Sequence, residues 1–328
     1  AAEVQKIVSA SLAATEAAIA DIEAKVGEVG IRPETRYLTK QLVPGEFFNY
    51  IYDGPVPTRY NEAPALALLV KQGTLPPVEE RLPVAADILV IPPPDEIGIY
   101  GGTWRITNIG LVGQGSFGGL TVRENGNGQD WLPNTVKDFG HSPDGRVWTY
   151  KLREGMRWSD GVPHTADDWA FAWLDINTNA EIGYSPAYVL DADPITKNAP
   201  TFKKIDDYTV SITYESPFYS LIEGDNGRRS SNGPQSGWVH YAPAHWLKQF
   251  HEDYANATDL ATMMKDESAE NWKQLWRIKA NPNTPAGLGA PFLGPWVLCE
   301  INDLNLRLCR NAYYSGIDPE GNQLPYID

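Results

Sequence analysis

The chain has 328 residues, 42% apolar and 21% charged, the balance of a folded globular protein and not of a disordered one. Two domains of ordinary size fit that length. The formal net charge of −15 excludes the clustered positive surface that nucleic acid or anionic lipid heads require. There are 11 Trp, 16 Tyr and 9 Phe. That is more ring surface than a core needs, so some rings are expected at a binding surface and the rest in the core. No stretch approaches the ~20 continuous apolar residues of a spanning helix. The chain opens Ala1-Ala2-Glu3 with neither a basic nor an apolar leader region, and without a Cys to carry lipid. A signal peptide already removed fits those small first residues.

In chain order, Val4 to Val29 predicts a helix, with apolar residues near a 3.6 period and Gly27 and Gly30 at its end. From Arg32 to Tyr100 the sequence is Pro-rich. One helix fits there, Ala63–Gln72, closed by Gly73; the remainder predicts extended chain wrapped over a surface. Thr103-Trp-Arg-Ile-Thr107 alternates like a strand. The turn signal Ser142-Pro-Asp-Gly145 leads into a strand over Val147–Leu152, and Asp206-Asp207 into another over Thr209–Tyr214. Thr165 is placed to cap a helix running to Asn177, with Asp167 and Asp168 in the first turn, where the helix dipole favours them. Pro243–Tyr254 predicts a second helix. Strands and helices mix without regular βαβ alternation, so the fold class is α/β with a mixed sheet.

The two cysteines lie in two short strands, Trp296–Ile301 and Leu306–Arg310. A hairpin centred on Leu304 sets Cys299 directly opposite Cys309, within reach of a disulfide. Such a bridge points to an oxidising compartment; two free core thiols are the alternative.

Several chemistries lack their residues. Gly113-Gln-Gly115-Ser-Phe-Gly118 has the spacing of a dinucleotide loop, but a poor helix follows it, so a flexible loop that presents backbone groups to a ligand is the better reading. None of the five His forms a zinc-type pair, so neither metal nor cofactor is expected. No G-x-S-x-G elbow exists. The pairs Asp167/Asp168 and Asp191/Asp193 could serve a glycosidase, but they read as helix-start residues and loop charges. No catalytic residue is assigned.

The segment from Trp148 to Trp173 resembles the signature of the family 5 extracellular solute-binding proteins. The resemblance is carried by Trp148, Leu152, Arg153, Gly155, Trp158, Ser159, Asp160, Gly161, Pro163, Thr165, Ala166 and Asp168. His164 stands where the family usually has Val. Asp206–Ile212, Gly294–Val297, Arg310–Gly316 and the ending Asp318–Asp328 agree with it, as does Tyr100–Trp104. The signature reads as scaffold: Ser159-Asp160-Gly161 as a turn, Arg153 able to pair with Asp160, and Thr165 as cap.

The resemblance implies a periplasmic-binding-protein-like fold, type II and cluster C-like, with two lobes that close on a ligand. It implies that this chain is the first lobe, with an inserted small subdomain and without the second lobe. The expected division is 1–97 as helix and Pro-rich wrap, 98–117 with 242–328 as first-lobe core, and 118–241 as the small subdomain. The implied function is the substrate-binding component of an ABC import system for an oligopeptide or oligosaccharide, in the periplasm or outside the cell. Its implied partners are the ligand and a permease in the cytoplasmic membrane, with no nucleic acid; a monomer is expected. A glycoside hydrolase and a solute-sensing module are the alternatives. The loops Val112–Phe117 and Tyr184–Tyr188 are the implied ligand loops. They offer Gln114 and Ser116 for hydrogen bonds and Phe117, Tyr184 and Tyr188 for ring contacts, with Trp238 as a further candidate.

Overall fold

The computed structural model describes residues 52–93, 96–105, 122–124, 131–179, 181–182, 192–221, 240–280, 287–302 and 305–327. The helix expected over Val4–Val29 and the glycine loop 113–118 lie outside them.

Helix α1 (Pro64–Lys71) begins on Pro64, whose missing N–H costs nothing in a first turn, and stops before Gly73 at φ +73°. It buries only Leu66. A short helix α2 (Val78–Arg81) and strand β1 (Leu89–Val90) follow, and β1 pairs in parallel with Gly316–Ile317. The Pro-rich stretch around these elements lies extended against residues 311–327. Asn61 N donates to Gly321 O, and Gln323 N donates to Asn61 O. The strand expected at Thr103–Thr107 is not formed over its described part. Gly101 and Gly102 hold φ +118° and +86°, the chain turns there, and residues 103–105 run irregularly with Trp104 exposed.

Strands β2 (Val122–Glu124) and β3 (Trp131–Pro133) form an antiparallel pair. Strands β4 (Val136–His141), β5 (Val147–Leu152), β6 (Thr201–Asp206) and β7 (Thr209–Thr213) form an antiparallel sheet in the order β4-β5-β7-β6. The β4–β5 turn is the one the sequence signals: Ser142 Oγ donates to Asp144 Oδ1, and Gly145 takes φ +68°. Along β5, Trp148, Tyr150 and Leu152 point inward at the strand period of two. The mixture is therefore spread over separate sheets. The four-stranded sheet is antiparallel, and among the described residues parallel strand pairing occurs at β1 and its partner.

Helix α3 (Ala166–Ala170) starts at the expected cap, but the helix does not stay α to Asn177. Residues Phe171–Ile176 widen into a π-helical turn, closed by Asn177 N donating to Ala172 O five residues back. The second expected helix is shorter than predicted. It is α4 (Ala244–Leu247), tightening to a 3₁₀ turn over Lys248–Phe250. Two further helices, α5 (Ala257–Asp266) and α6 (Trp272–Lys279), start on Asn256 and Asn271, whose side chains accept first-turn amides.

Strands β8 (Trp296–Asn302) and β9 (Asn305–Arg310) make the expected hairpin, and β10 (Gly316–Ile317) completes the pair with β1. The Cys299–Cys309 disulfide is present, with the Cα atoms 5.8 Å apart. The register differs from expectation. Val297, not Cys299, faces Cys309, and Asn302 faces Asn305. The pairs nearest the turn are offset by one residue from a hairpin centred on Leu304, and the ladder slips again between Leu298 and Glu300, leaving Cys299 at the irregularity.

The main core packs β5, β7, α3 and the π turn against Tyr241–Phe250 and α6. It therefore draws on residues from both sides of position 241. A much smaller core lies under β1 and β10.

Candidate functional site

The signature block folds around one carboxylate. Asp168 is buried, at 5% exposure, and its two oxygens collect donors from three stretches of chain. Oδ2 accepts from Thr165 N at 3.0 Å, closing the capping box, and from Trp158 Nε1 at 3.1 Å. Oδ1 accepts from Ala244 N at 3.1 Å. His164, buried beside it, has Nδ1 3.3 Å from Oδ2, while its Nε2 accepts from Trp169 Nε1 at 3.4 Å. One side chain thus ties the Trp158 hairpin, the start of α3 and the start of α4 into a single unit. Such a carboxylate is a strut, its lone pairs already used.

The pairing expected for Arg153 gives way. Arg153 is buried and donates to Asn134 O and Asp87 O, both at 2.7 Å, because backbone carbonyls surround it. Asp160 lies at the surface turn, where His245 Nε2 reaches its Oδ2 at 2.7 Å. Burial pushes the Asp160 carboxyl up, but the His245 bond and the Val162 amide outweigh that and bring it below the usual carboxylate range.

The rings sort in favour of the core. Trp148, Trp158, Trp169, Trp173, Trp272 and Trp276 are all buried. Trp169 stacks on His240 at 5.6 Å and 16°, and the π turn brings Trp173 onto Phe202 at 5.8 Å and 16°. Trp104 is the exception among these, at 66% exposure.

Gln114, Ser116, Phe117, Tyr184, Tyr188 and Trp238, the expected ligand contacts, lie outside the described residues. The structure does describe the approach to Tyr184. Asn179 Oδ1 accepts from Glu181 N at 2.9 Å and from Ile182 N at 3.4 Å, and Ile182 is buried. Asn179 Nδ2 lies 3.2 Å from His251 Nε2, and Lys273 Nζ reaches Glu181 Oε2 at 3.2 Å. On either side of Trp238 the nearest described residues are Leu221 and His240, both buried.

Sequence reasoning missed two polar anchors. Asp193, read as a loop charge, is buried and accepts from Thr196 N, Ile195 N and Ser216 N at 2.8, 2.9 and 2.6 Å. Burial pushes its carboxyl up, yet these amides win and hold it far below the carboxylate range. Asp318 is fully buried; it accepts from Glu320 N, Asn322 N, Asn322 Nδ2 and Tyr326 Oη. Both begin a run Asp-Pro-x with an Asn further on (Asp193-Pro194 to Asn198, Asp318-Pro319 to Asn322), a turn signal that was present to be read. Among the described residues no group of three His, Cys, Asp or Glu is placed to hold a metal ion.

Comparison with known proteins gives a consistent picture. The sequence profile of the bacterial extracellular solute-binding proteins, family 5 Middle, matches residues 131–328. The periplasmic alpha-galactoside-binding protein of Rhizobium meliloti (strain 1021) is 31% identical over 284 residues, 79% of this chain and 37% of that protein. The periplasmic oligopeptide-binding protein OppA of Escherichia coli (strain K12) is 34% identical over 100 residues, 26% of this chain and 18% of that protein. Among solved structures, an oligopeptide-binding protein OppA superposes with a TM-score of 0.68 at 33% identity, covering 83% of this chain and 41% of that one. The periplasmic binding protein MelB of Agrobacterium fabrum C58, in complex with stachyose, gives 0.60 at 25% identity, covering 87% and 43%. The chain thus spans about two fifths of the length of these longer matches.

Proposed function

The chain belongs to the bacterial extracellular solute-binding proteins, family 5, and from that premise we propose that it supplies one lobe of the substrate-binding component of an ABC import system. The ligand is an oligopeptide or an oligosaccharide, captured between two lobes and delivered unaltered to a permease in the cytoplasmic membrane. The place of action is the periplasm or the cell exterior, where the Cys299–Cys309 bridge persists. One observation carries the reading. The family signature folds as a scaffold around Asp168, whose carboxylate is taken up by Thr165 N, Trp158 Nε1 and Ala244 N, so that group holds segments in place instead of reacting.

On this reading the ligand touches the loops Val112–Phe117 and Tyr184–Tyr188. Gln114 and Ser116 give hydrogen bonds, and Phe117, Tyr184, Tyr188 and Trp238 give ring surface. Closure follows as population shift: a ligand that touches both lobes only when they are closed favours that state. The α-galactoside and oligopeptide relatives set the two ligand classes to try.

Titration calorimetry of the natural protein against raffinose and stachyose on one side, and tri- to pentapeptides on the other, tests the proposal. Saturable one-to-one binding to one class is expected, weakened about tenfold by Tyr184→Ala or Phe117→Ala. Binding to neither class overturns it.

A further inference from the structure

Among the described residues the β8–β9 hairpin is a sheet of two strands, and a two-stranded hairpin by itself is marginal in water. Its base is anchored. Trp296 pairs with Arg310, Trp296 Nε1 donates to Ile327 O at 3.4 Å, and Arg310 Nη2 donates to Tyr326 O at 2.8 Å. Further out, Leu298, Ile301, Leu306 and Leu308 are half-buried, and none of them belongs to either core of the described residues.

These four side chains share one face of the hairpin, and the irregularity at Cys299 is what brings them together. Leu306 and Leu308 stand two apart on β9 and so point the same way. Leu298 pairs with Leu308, and Ile301 with Leu306. Leu298 and Ile301 are three apart, so unbroken alternation would set them on opposite faces. The extra residue between Leu298 and Glu300 restores the match. A slip of one residue would turn the side chains beyond it over. That extra residue is Cys299, and its sulfur is bonded to Cys309, which pairs with Val297 on the anchored side of the irregularity. Cys299 is exposed and Cys309 half-buried, so a thiol in solution meets the bridge at Cys299.

We propose that the Cys299–Cys309 bridge is a redox lock on the register of this hairpin, opened by a soluble dithiol. One thiolate of the dithiol attacks Cys299 Sγ and forms a mixed disulfide, and the bond between the two cysteine sulfurs breaks with Cys309 leaving as a thiolate. The second thiolate of the dithiol then attacks its own partner sulfur and expels Cys299. The bridge gains two electrons, and two protons that the dithiol gives up through water; the dithiol ends as an intramolecular disulfide. With the lock open, the base at Trp296 and Arg310 stays, while residues 299–302 and 305–308 lose their fixed register and the apolar face loses its alignment. What then remains beyond the base is the ladder itself and the exposed Glu300–Arg307 pair at 3.8 Å, and such pairs contribute little. The inference rests on the hairpin alone and stands or falls apart from the ligand reading.

The test is hydrogen exchange of the full chain, first oxidised and then treated with dithiothreitol at mildly alkaline pH without denaturant, with the free thiols counted by alkylation. Two alkylated thiols are expected, together with about a hundredfold faster exchange at residues 300–302 and 305–308 and no change along β5. The double variant Cys299→Ser/Cys309→Ser should exchange as fast there without any reductant. A bridge that dithiothreitol does not open short of unfolding overturns the proposal. So does opening that leaves these amides as slow as before, or that speeds β5 to the same degree, and so does a Ser variant as well protected as the oxidised chain. If the Ser variant does not fold, the reduced wild type decides by the same comparison of hairpin with β5.

Discussion

Two regions of this molecule are held by opposite means. The block from β5 through the π turn to α6 is an aromatic core: Trp158, Trp169, Tyr241, Phe171 and Trp276 are its large buried side chains. The seam between the Pro-rich stretch and residues 311–327 has few buried apolar residues, and polar side chains close it. There Arg81 is fully buried and donates to Glu62, Gln323 Oε1, Ala312 O and Pro76 O. The same stretch is tied to the four-stranded sheet by Asp87, which takes Lys137 Nζ at 2.7 Å and Glu154 N at 2.8 Å. Tyr100 Oη donates to Gln323 O at 2.9 Å, and its ring lies 5.1 Å from the Arg310 guanidinium. Packing tolerates loss of shape badly, and within the aromatic block the polar groups gather at one knot, Asp168 and its donors. A buried polar seam fails when one partner is removed, because the others stay buried and unpaired.

The sharpest way to break this contrast is a pair of substitutions. Trp169→Ala empties the aromatic core and should cost about 3–5 kcal/mol, read as a global loss in urea denaturation. Arg81→Met keeps volume but takes the guanidinium donor away from Glu62, Gln323 Oε1 and Pro76 O. It should cost about 3 kcal/mol and show first as proteolytic cutting within residues 52–93, with tryptophan fluorescence of the core still native. A smaller effect separates shape from charge inside the aromatic block. Asp168→Asn keeps the outline but places an NH₂ among the Thr165, Trp158 and Ala244 donors. A loss of about 1–2 kcal/mol is expected by thermal melting.

The smallest effect is one of pH. The folded Asp193 carboxyl titrates below its unfolded value of about 3.9, so the unfolded chain takes up the proton first. Its contribution is complete above that unfolded value and is lost as pH falls through it towards the folded one. Denaturation midpoints followed from pH 5 downward should therefore slope less in Asp193→Asn than in the wild type.

How much of this was legible follows from how local each cause is. The Thr165 cap, the Ser142–Gly145 turn, the Gly73 stop and the inward face of β5 are written within a few residues and read directly. The π turn was hidden, because an α and a π helix share the same apolar pattern until Trp173 meets Phe202 and His240. The hairpin was visible, but its register was out by one residue near the turn and by two beyond the slip between Leu298 and Glu300, since nothing local marks the irregularity at Cys299. Asp168 was legible as a first-turn residue; its bonds to Trp158 and Ala244 were not, because they join segments far apart in the chain. Helices α5 and α6 carried readable Asn caps that were passed over. Of the candidate ligand contacts, the sequence offered loop positions and ring types, and the structure describes the anchored approach through Asn179 and Ile182.

The most direct measurement of the central claim is the fate of a bound ligand. The natural protein, incubated with the sugar or peptide it binds and then denatured, should release that molecule with its mass unchanged and in one-to-one amount, as judged by mass spectrometry. Shorter products accumulating beyond the amount of protein would contradict the account.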